Sequence, residues 1–244
     1  MTELPVEDFV EPGQKWEVDF FRPEDAPGVV RLFQMVYGEG YPVKTFTDPE
    51  RLIEESAAGL ILSSVARTLK GDIVGHTALY RSAPFHGICE AGASLVASNY
   101  RSGMLSFRLF EHSATAGVPR LGLDAFFAEL VCNHVLSQRL SGKFGPTPCA
   151  FEVDLMPAEA YTKEESASGR VATVLAFKIC TVKPQTIYLP EAYEEMARFV
   201  YDGIAQECRF ALSSEELPAK VETRIETRFF DFAKVARFTV HDAG

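Results

Sequence analysis

The stretch that most constrains this chain is residues 88–116, which read ICEAGASLV, ASNYRSGML and SFRLFEHSATA. An apolar, strand-like segment meets a short polar turn and runs at once into helical periodicity, the order expected of a layered α/β fold. The turn holds Arg101, Ser102 and Gly103. The first backbone N–H groups of a helix have no partner within it, and the helix dipole favours negative charge there. A turn that adds an arginine to those groups can hold a phosphate or pyrophosphate. An ordinary strand-to-helix connection is the alternative, and these residues alone leave both open.

The segments around this stretch continue the alternation. Residues 16–21 read as a strand, and a helix follows with Asp25 at its cap, Pro27 in its first turn and an apolar stripe of Val29, Val30, Leu32, Phe33 and Val36 that ends at Gly38. Asp48-Pro49 opens a second helix and Gly59 closes it. Strands are expected at 60–67 and 73–80, with Lys70-Gly71-Asp72 as the hairpin turn, and then at 88–96. Alternation along that third strand puts Glu90, Gly92 and Ser94 on one face. The following helix carries Leu105, Leu109 and Ala116, and Gly117 is its expected end. A strand in LGLDAFFAELV, a helix over 135–143 and a strand over 149–155 complete the order β-α-α-β-β-β-α-β-α-β. This is an α/β fold with a mixed central sheet flanked by helices.

Polar, aperiodic residues follow, and 158–169 are read as a linker between a domain at 1–157, with its core at 16–157, and a smaller strand-rich α+β unit at 170–244. That unit carries a strand near 171–180, an amphipathic helix opened by Pro190 and strands in KVETRIETRFF and KVARFTV. It is short enough to be half a domain that completes its sheet on a second copy, which makes a homodimer a candidate assembly.

Net charge is −10, which argues against general nucleic-acid binding and requires any anionic ligand to be held locally. Cysteines 89, 132, 149, 180 and 208 form no close pair, as in free thiols of a reducing compartment. The histidines show no metal-ligand spacing, so no metal is expected. No apolar run approaches a membrane span and the acidic start lacks a cationic leader, so the expected setting is the cytoplasm, with no membrane partner.

Four segments resemble the GNAT acyltransferase superfamily. VASNYRSGMLSFRLFE is similar to its coenzyme-A loop and helix, VCNHVLSQRLSGKFG to the end of its fifth strand and the next helix, FFRPEDAPGVVRLF to its opening strand and helix, and GEGYPVKTFTDPERL to one subgroup. The resemblance implies a GNAT-like sheet and acetyl-CoA or another acyl-CoA as co-substrate. It implies Val96, Arg101, Ser102, Gly103, Met104, Leu105, Ser106, His134 and Ser137 as coenzyme-binding residues. The loop departs from the family pattern, because Met104 and Ser106 stand at glycine positions. Ser141 stands where the family often places a tyrosine acid. The methionine, unbranched and flexible, is expected to turn back under the helix onto Leu95 and leave the N–H groups accessible.

Acyl transfer to an amine needs a base to free the lone pair and a backbone N–H to polarise the thioester carbonyl. Glu90 and Glu129 are the carboxylates nearest the cleft that the resemblance implies, a splaying of the sheet between the strands at 88–96 and 123–131, and burial on a strand raises a glutamate toward neutrality. Solvated strand-edge glutamates are the alternative for both. Cys132 and His134 lie two apart without a known nucleophile signature, and coincidence accounts for them. The resulting function is N-acetyl transfer from acetyl-CoA to a small-molecule or peptidic amine. The alternative is a GNAT-fold coenzyme-binding or regulatory module without catalysis.

Overall fold

The computed structural model describes residues 10–38, 41, 43–101, 104–133, 135–157, 167, 169–204, 207–211, 222–231 and 233–242. The chain runs β1 (Trp16–Phe20), α1 (Ala26–Tyr37), α2 (Pro49–Ala57), β2 (Ile61–Thr68), β3 (Ile73–Tyr80), β4 (Ile88–Val96), α3 (Leu105–His112), α4 (Val118–Leu121), β5 (Ala125–Val131), α5 (Leu136–Lys143), β6 (Thr147–Met156) and β7 (Val171–Ile179). It continues through β8 (Gln185–Tyr188), α6 (Glu194–Gly203), β9 (Cys208–Ala211), β10 (Arg224–Phe230) and β11 (Val235–Asp242).

Strands β1 to β7 form one mixed sheet in the order β1-β2-β3-β4-β5-β7-β6. β1 to β4 are an antiparallel meander, and the β2–β3 hairpin turns at Gly71 with φ +90° while Asp72 N–H donates to Thr68 Oγ1 at 3.1 Å. β4 and β5 are parallel because helices α3 and α4 cross between them. β7 lies between β5 and β6, antiparallel to both. The expected boundary at 157 therefore cuts the sheet, since residues 171–179, assigned from the sequence to the second unit, are one of its inner strands. Sequence order hid this, because β6 and β7 exchange places in space. What remains beyond 179 is a parallel β8–β9 pair bridged by α6 and a separate β10–β11 hairpin. No helix among the described residues is long and apolar enough to cross a membrane.

The core sits on both faces of the meander. Phe33 of α1 is fully buried, stacked on Phe46 at 4.7 Å and edge-on to His76 at 5.4 Å. On the opposite face Gly75 lets α3 rest directly on the sheet: a Cβ there would lie 2.4 Å from Leu105 Cδ2 and 2.8 Å from Leu109 Cδ1. Asp48 caps α2 as expected, accepting from the N–H groups of Glu50 and Arg51. Asp25 occupies the N-cap position of α1, as expected, but its side chain makes no cap hydrogen bond there. It is buried, and its carboxylate takes a bidentate pair from Arg67 at 2.8 and 2.5 Å and the N–H of Arg22 at 2.8 Å. The helix after the turn also outruns Gly117. It passes through a π-turn at Ser113–Gly117 into α4 and ends at Gly122 in the left-handed conformation, Gly117 instead giving close approach to Leu79. In α6, Met196 and Phe199 of the predicted apolar stripe face outward.

Strict alternation fails in β4. His76 pairs with Leu95 and Ala78 with Gly92, so an extra residue bulges out where Ala93 takes φ +50°. His76 props this bulge: its Nδ1–H donates to Ala93 O at 2.8 Å and its Nε2 accepts from the Ser63 hydroxyl at 2.9 Å. The ring is completely buried, and desolvation lowers its pKa from 6.5 to about 4 despite the bond to Ala93. Between those values the unfolded chain binds the proton and the folded chain does not. Stability is thus fully present above pH 6.5 and is lost as pH falls toward 4, by about 3 kcal/mol in all. Urea midpoints from pH 7 to 4 are expected to show this slope, and His76→Gln is expected to flatten it.

Candidate functional site

β4 and β5 pair only at Ile88–Ala125, Cys89–Phe126 and Glu90–Phe127. Beyond Glu90, where the bulge bends β4, no further pairs form and the two strands part. This opens a gap in the middle of the sheet, at the position expected from the sequence, and the residues around it divide by strand alternation onto two faces.

Glu90, Tyr80 and Glu129 share one face. Tyr80 stands opposite Glu90 in the β3–β4 register and donates its hydroxyl to Glu90 Oε1. Phe127 pairs with Glu90, so Glu129, two residues on, points the same way. Glu90 is buried and the Glu129 side chain is only 18% exposed, so neither is a solvated strand-edge carboxylate. Burial pushes Glu90 above the usual carboxylate range against the opposing hydrogen bond from Tyr80. Burial, with the charges of Glu90 and Glu152, pushes Glu129 up to about 7, and Arg237 offsets part of that rise. Tyr80 is itself driven well above 10 by burial and by Glu90. Arg237, from β11, donates to Glu129 Oε1 at 3.0 Å and lies 3.9 Å from Glu152 Oε1.

The opposite face carries a narrow apolar slot between the parted strands and helices α3 and α5. It is lined by Thr77, Ala91, Phe126, Ala128, Ser141 and Phe144, among others. Phe144 stacks near Phe107 at 5.2 Å and Phe110 at 6.3 Å, drawing α5 onto α3. Ser137, one turn before Ser141 on α5, has a buried Oγ with no hydrogen-bond partner. A ligand amide or hydroxyl that reached this atom would satisfy it, and the slot itself, apolar but for Thr77, Ser113 and Ser141, suits a largely apolar arm.

The residues expected to bind coenzyme divide accordingly. Val96 and Leu105 are buried in the core, Leu105 beneath α3. Arg101 is held at the end of β4 by a bond from its Nε to Val96 O at 3.1 Å. Ser106 lies half-buried in the first turn of α3. Met104 is the residue preceding α3 and its side chain is 59% exposed, so it does not fold under the helix onto Leu95 as expected. Leu105 and Leu109 already fill the space between α3 and the sheet, which leaves the methionine outside. Ser102, Gly103 and His134 lie outside the described residues.

No family model and no curated protein matches the sequence. Solved structures do. The ribosomal-protein-S5-alanine acetyltransferase from Vibrio fischeri superposes with a TM-score of 0.54 at 14% identity, over 70% of this chain and 97% of that one. An acetyltransferase of the GNAT family from Streptococcus pneumoniae gives 0.54 at 16% identity, over 68% and 99%. This chain has the GNAT fold. A further structure with the GNAT fold, yncA from Salmonella typhimurium solved with its cofactor acetyl-CoA, gives 0.50 at 16% identity over 67% and 92%.

Three groups at the gap of this GNAT core were missed in the sequence: Tyr80, Glu152 and Arg237. Tyr80 was within reach, since it stands across the β3–β4 hairpin from Glu90. Arg237 had no local signal at all, being 108 residues from Glu129.

Proposed function

We propose that this chain is an acyl-CoA-dependent N-acyltransferase that moves an acetyl group to an amine on the Glu90–Glu129 face of the sheet. The single observation that carries the reading is Glu129, lifted to about 7 and pointing onto the face beside the parted strands. A carboxylate poised near neutrality is about half ionised in the resting site at pH 7 and can take a proton from an ammonium. The acetyl-CoA bound by yncA supports the same donor here. Acetyl-CoA supplies the acetyl thioester, whose C–S bond breaks as the amine forms the new C–N bond. Glu129 removes the proton from the acceptor nitrogen, and Glu90, held by Tyr80, keeps Glu129 basic through its charge. The bulge at Ala93 is the candidate source of a backbone donor for the thioester oxygen, because a bulged ladder leaves main-chain groups unpaired. Arg101 is assigned to the coenzyme's phosphates and Ser137 to its arm. With Ser141 in place of a tyrosine, the departing thiolate takes its proton from solvent.

A coenzyme-binding module without catalysis is favoured by two observations, the exposed Met104 at the helix start and the buried Ser141. Acetyl-CoA is expected to raise the melting temperature under either function, since a ligand that binds only the native state stabilises it. Arg101→Ala is expected to weaken acetyl-CoA binding by about 1.5–3 kcal/mol in calorimetry at moderate salt. Equal affinity in the two proteins would remove Arg101 from the site. Release of free thiol on adding amines separates enzyme from module.

A further inference from the structure

The β10–β11 hairpin lies outside the seven-stranded sheet, yet it delivers a charge to the carboxylate face. Its residues alternate: Ala236, Phe238 and Val240 are exposed, whereas Val235, Arg237 and Thr239 are half-buried. Every residue of β10 is exposed. Arg170, which also bonds the carbonyls of Asp154 and Leu155 at the end of β6, donates to Ala233 O at 2.7 Å and so fastens the turn of the hairpin to the sheet. A two-stranded ribbon with so little burial is marginal by itself and can shift about such a fastening.

The guanidinium it presents is poorly matched to its surroundings as a purely structural ion pair. Arg237 is 39% exposed, and one of its nitrogens is shared between Glu129 at 3.0 Å and Glu152 at 3.9 Å, with the charge of Glu90 acting on it as well. One cation faces three carboxyl groups, so the face is negative once more than one of them is ionised. An acceptor entering beside Glu129 meets that residual charge and a guanidinium standing where an ammonium would pair best. An anionic group on the acceptor would have to compete for the arginine with the carboxylates that already surround it. Once Glu129 has accepted the proton of the reacting nitrogen, Glu152 still calls for a cation.

We infer that Arg237 is the specificity-determining residue of the acceptor side: its guanidinium fills, from within the chain, the place of a cationic group of the acceptor, and the site takes amines that carry a second positive charge able to exchange with it. The inference rests on the reading of the Glu90–Glu129 face as the acceptor side, but it concerns amine binding and not the donor.

The test therefore omits the coenzyme. Diaminobutane, a dication at neutral pH, is titrated calorimetrically into the full chain at low ionic strength, with glycine as the zwitterionic comparison. Arg237→Ala is expected to bind diaminobutane about tenfold or more tightly than the parent, Arg237→Lys to resemble the parent, and glycine to gain nothing. Adding both Glu129→Gln and Glu152→Gln to Arg237→Ala is expected to abolish the gain, because the carboxylates that the arginine had answered are then gone. Unchanged or weaker diamine binding in Arg237→Ala, an equal gain for glycine, or a gain that survives the two glutamines each overturns the inference. If Arg237→Ala does not fold, Arg237→Met keeps the apolar stem and carries the same expectation. Failure of both to fold makes Arg237 a structural pin and also overturns it. Failure of acetyl-CoA to bind would remove the transferase reading and leave these titrations interpretable.

Discussion

Glu129→Gln is expected to lower acetyl transfer by about 10²–10⁴-fold while leaving acetyl-CoA affinity nearly intact. Glutamine keeps the shape of the side chain and its place beside Arg237, and removes only the capacity to accept a proton. The readout is thiol release from acetyl-CoA, with whichever primary amine of a panel turns over in the parent. The pH profile adds a second check. A base must be unprotonated to work, and burial together with Glu90 and Glu152 holds Glu129 at about 7. The rate is thus expected to rise as pH passes upward through 7, and this limb is expected to vanish in Glu129→Gln. A loss confined to coenzyme affinity would move Glu129 from the chemistry to the binding of the donor. Glu90→Gln is the informative companion, because in the proposed function Glu90 acts through its charge on Glu129. It is expected to shift the limb to lower pH before it abolishes turnover.

Phe33→Ala is expected to cost about 3–5 kcal/mol of folding stability. The ring is fully buried, stacks on Phe46, meets His76 edge-on and packs tilted against Tyr41 at 4.9 Å. Its removal leaves a cavity that none of these neighbours can close without giving up another contact. His76 is also the prop of the β4 bulge, so the damage should reach the gap between β4 and β5 as well as the core. Denaturant unfolding measures the loss. A cost under about 1 kcal/mol would mean that the aromatic cluster relaxes into the space, and that the bulge does not depend on it.

The apolar spacing of α1, the Asp48-Pro49 start of α2, the glycine turn of the first hairpin and the strand–turn–helix at 88–116 were all legible in the chain. Each is a local arrangement whose period or turn chemistry is written within a dozen residues. The parting of β4 and β5 could also be expected, but from the resemblance of the element order and its turn to the GNAT superfamily and not from local pattern. The limits of the sheet could not. β7 enters between β5 and β6 through pairings spread over the whole of both neighbours, and no local pattern distinguishes an inner strand of one sheet from the first strand of another.

The candidate site divides in the same way. Glu90 and Glu129 could be named because carboxylates within apolar strands stand out in any window of the sequence. Their state was decided only in the folded chain. Desolvation, the Tyr80 hydroxyl and the mutual repulsion of Glu90, Glu129 and Glu152 depend on which strands become neighbours, as does the fate of Met104 once Leu105 and Leu109 have filled the space under α3. By itself the sequence determined most of the elements and the residue types along them, because short-range periodicity and turn geometry suffice for these. Tertiary structure alone decided which charges face one another, most of all that Arg237 meets Glu129 from 108 positions away, because electrostatic coupling is set by distance and burial in space and not by separation along the chain.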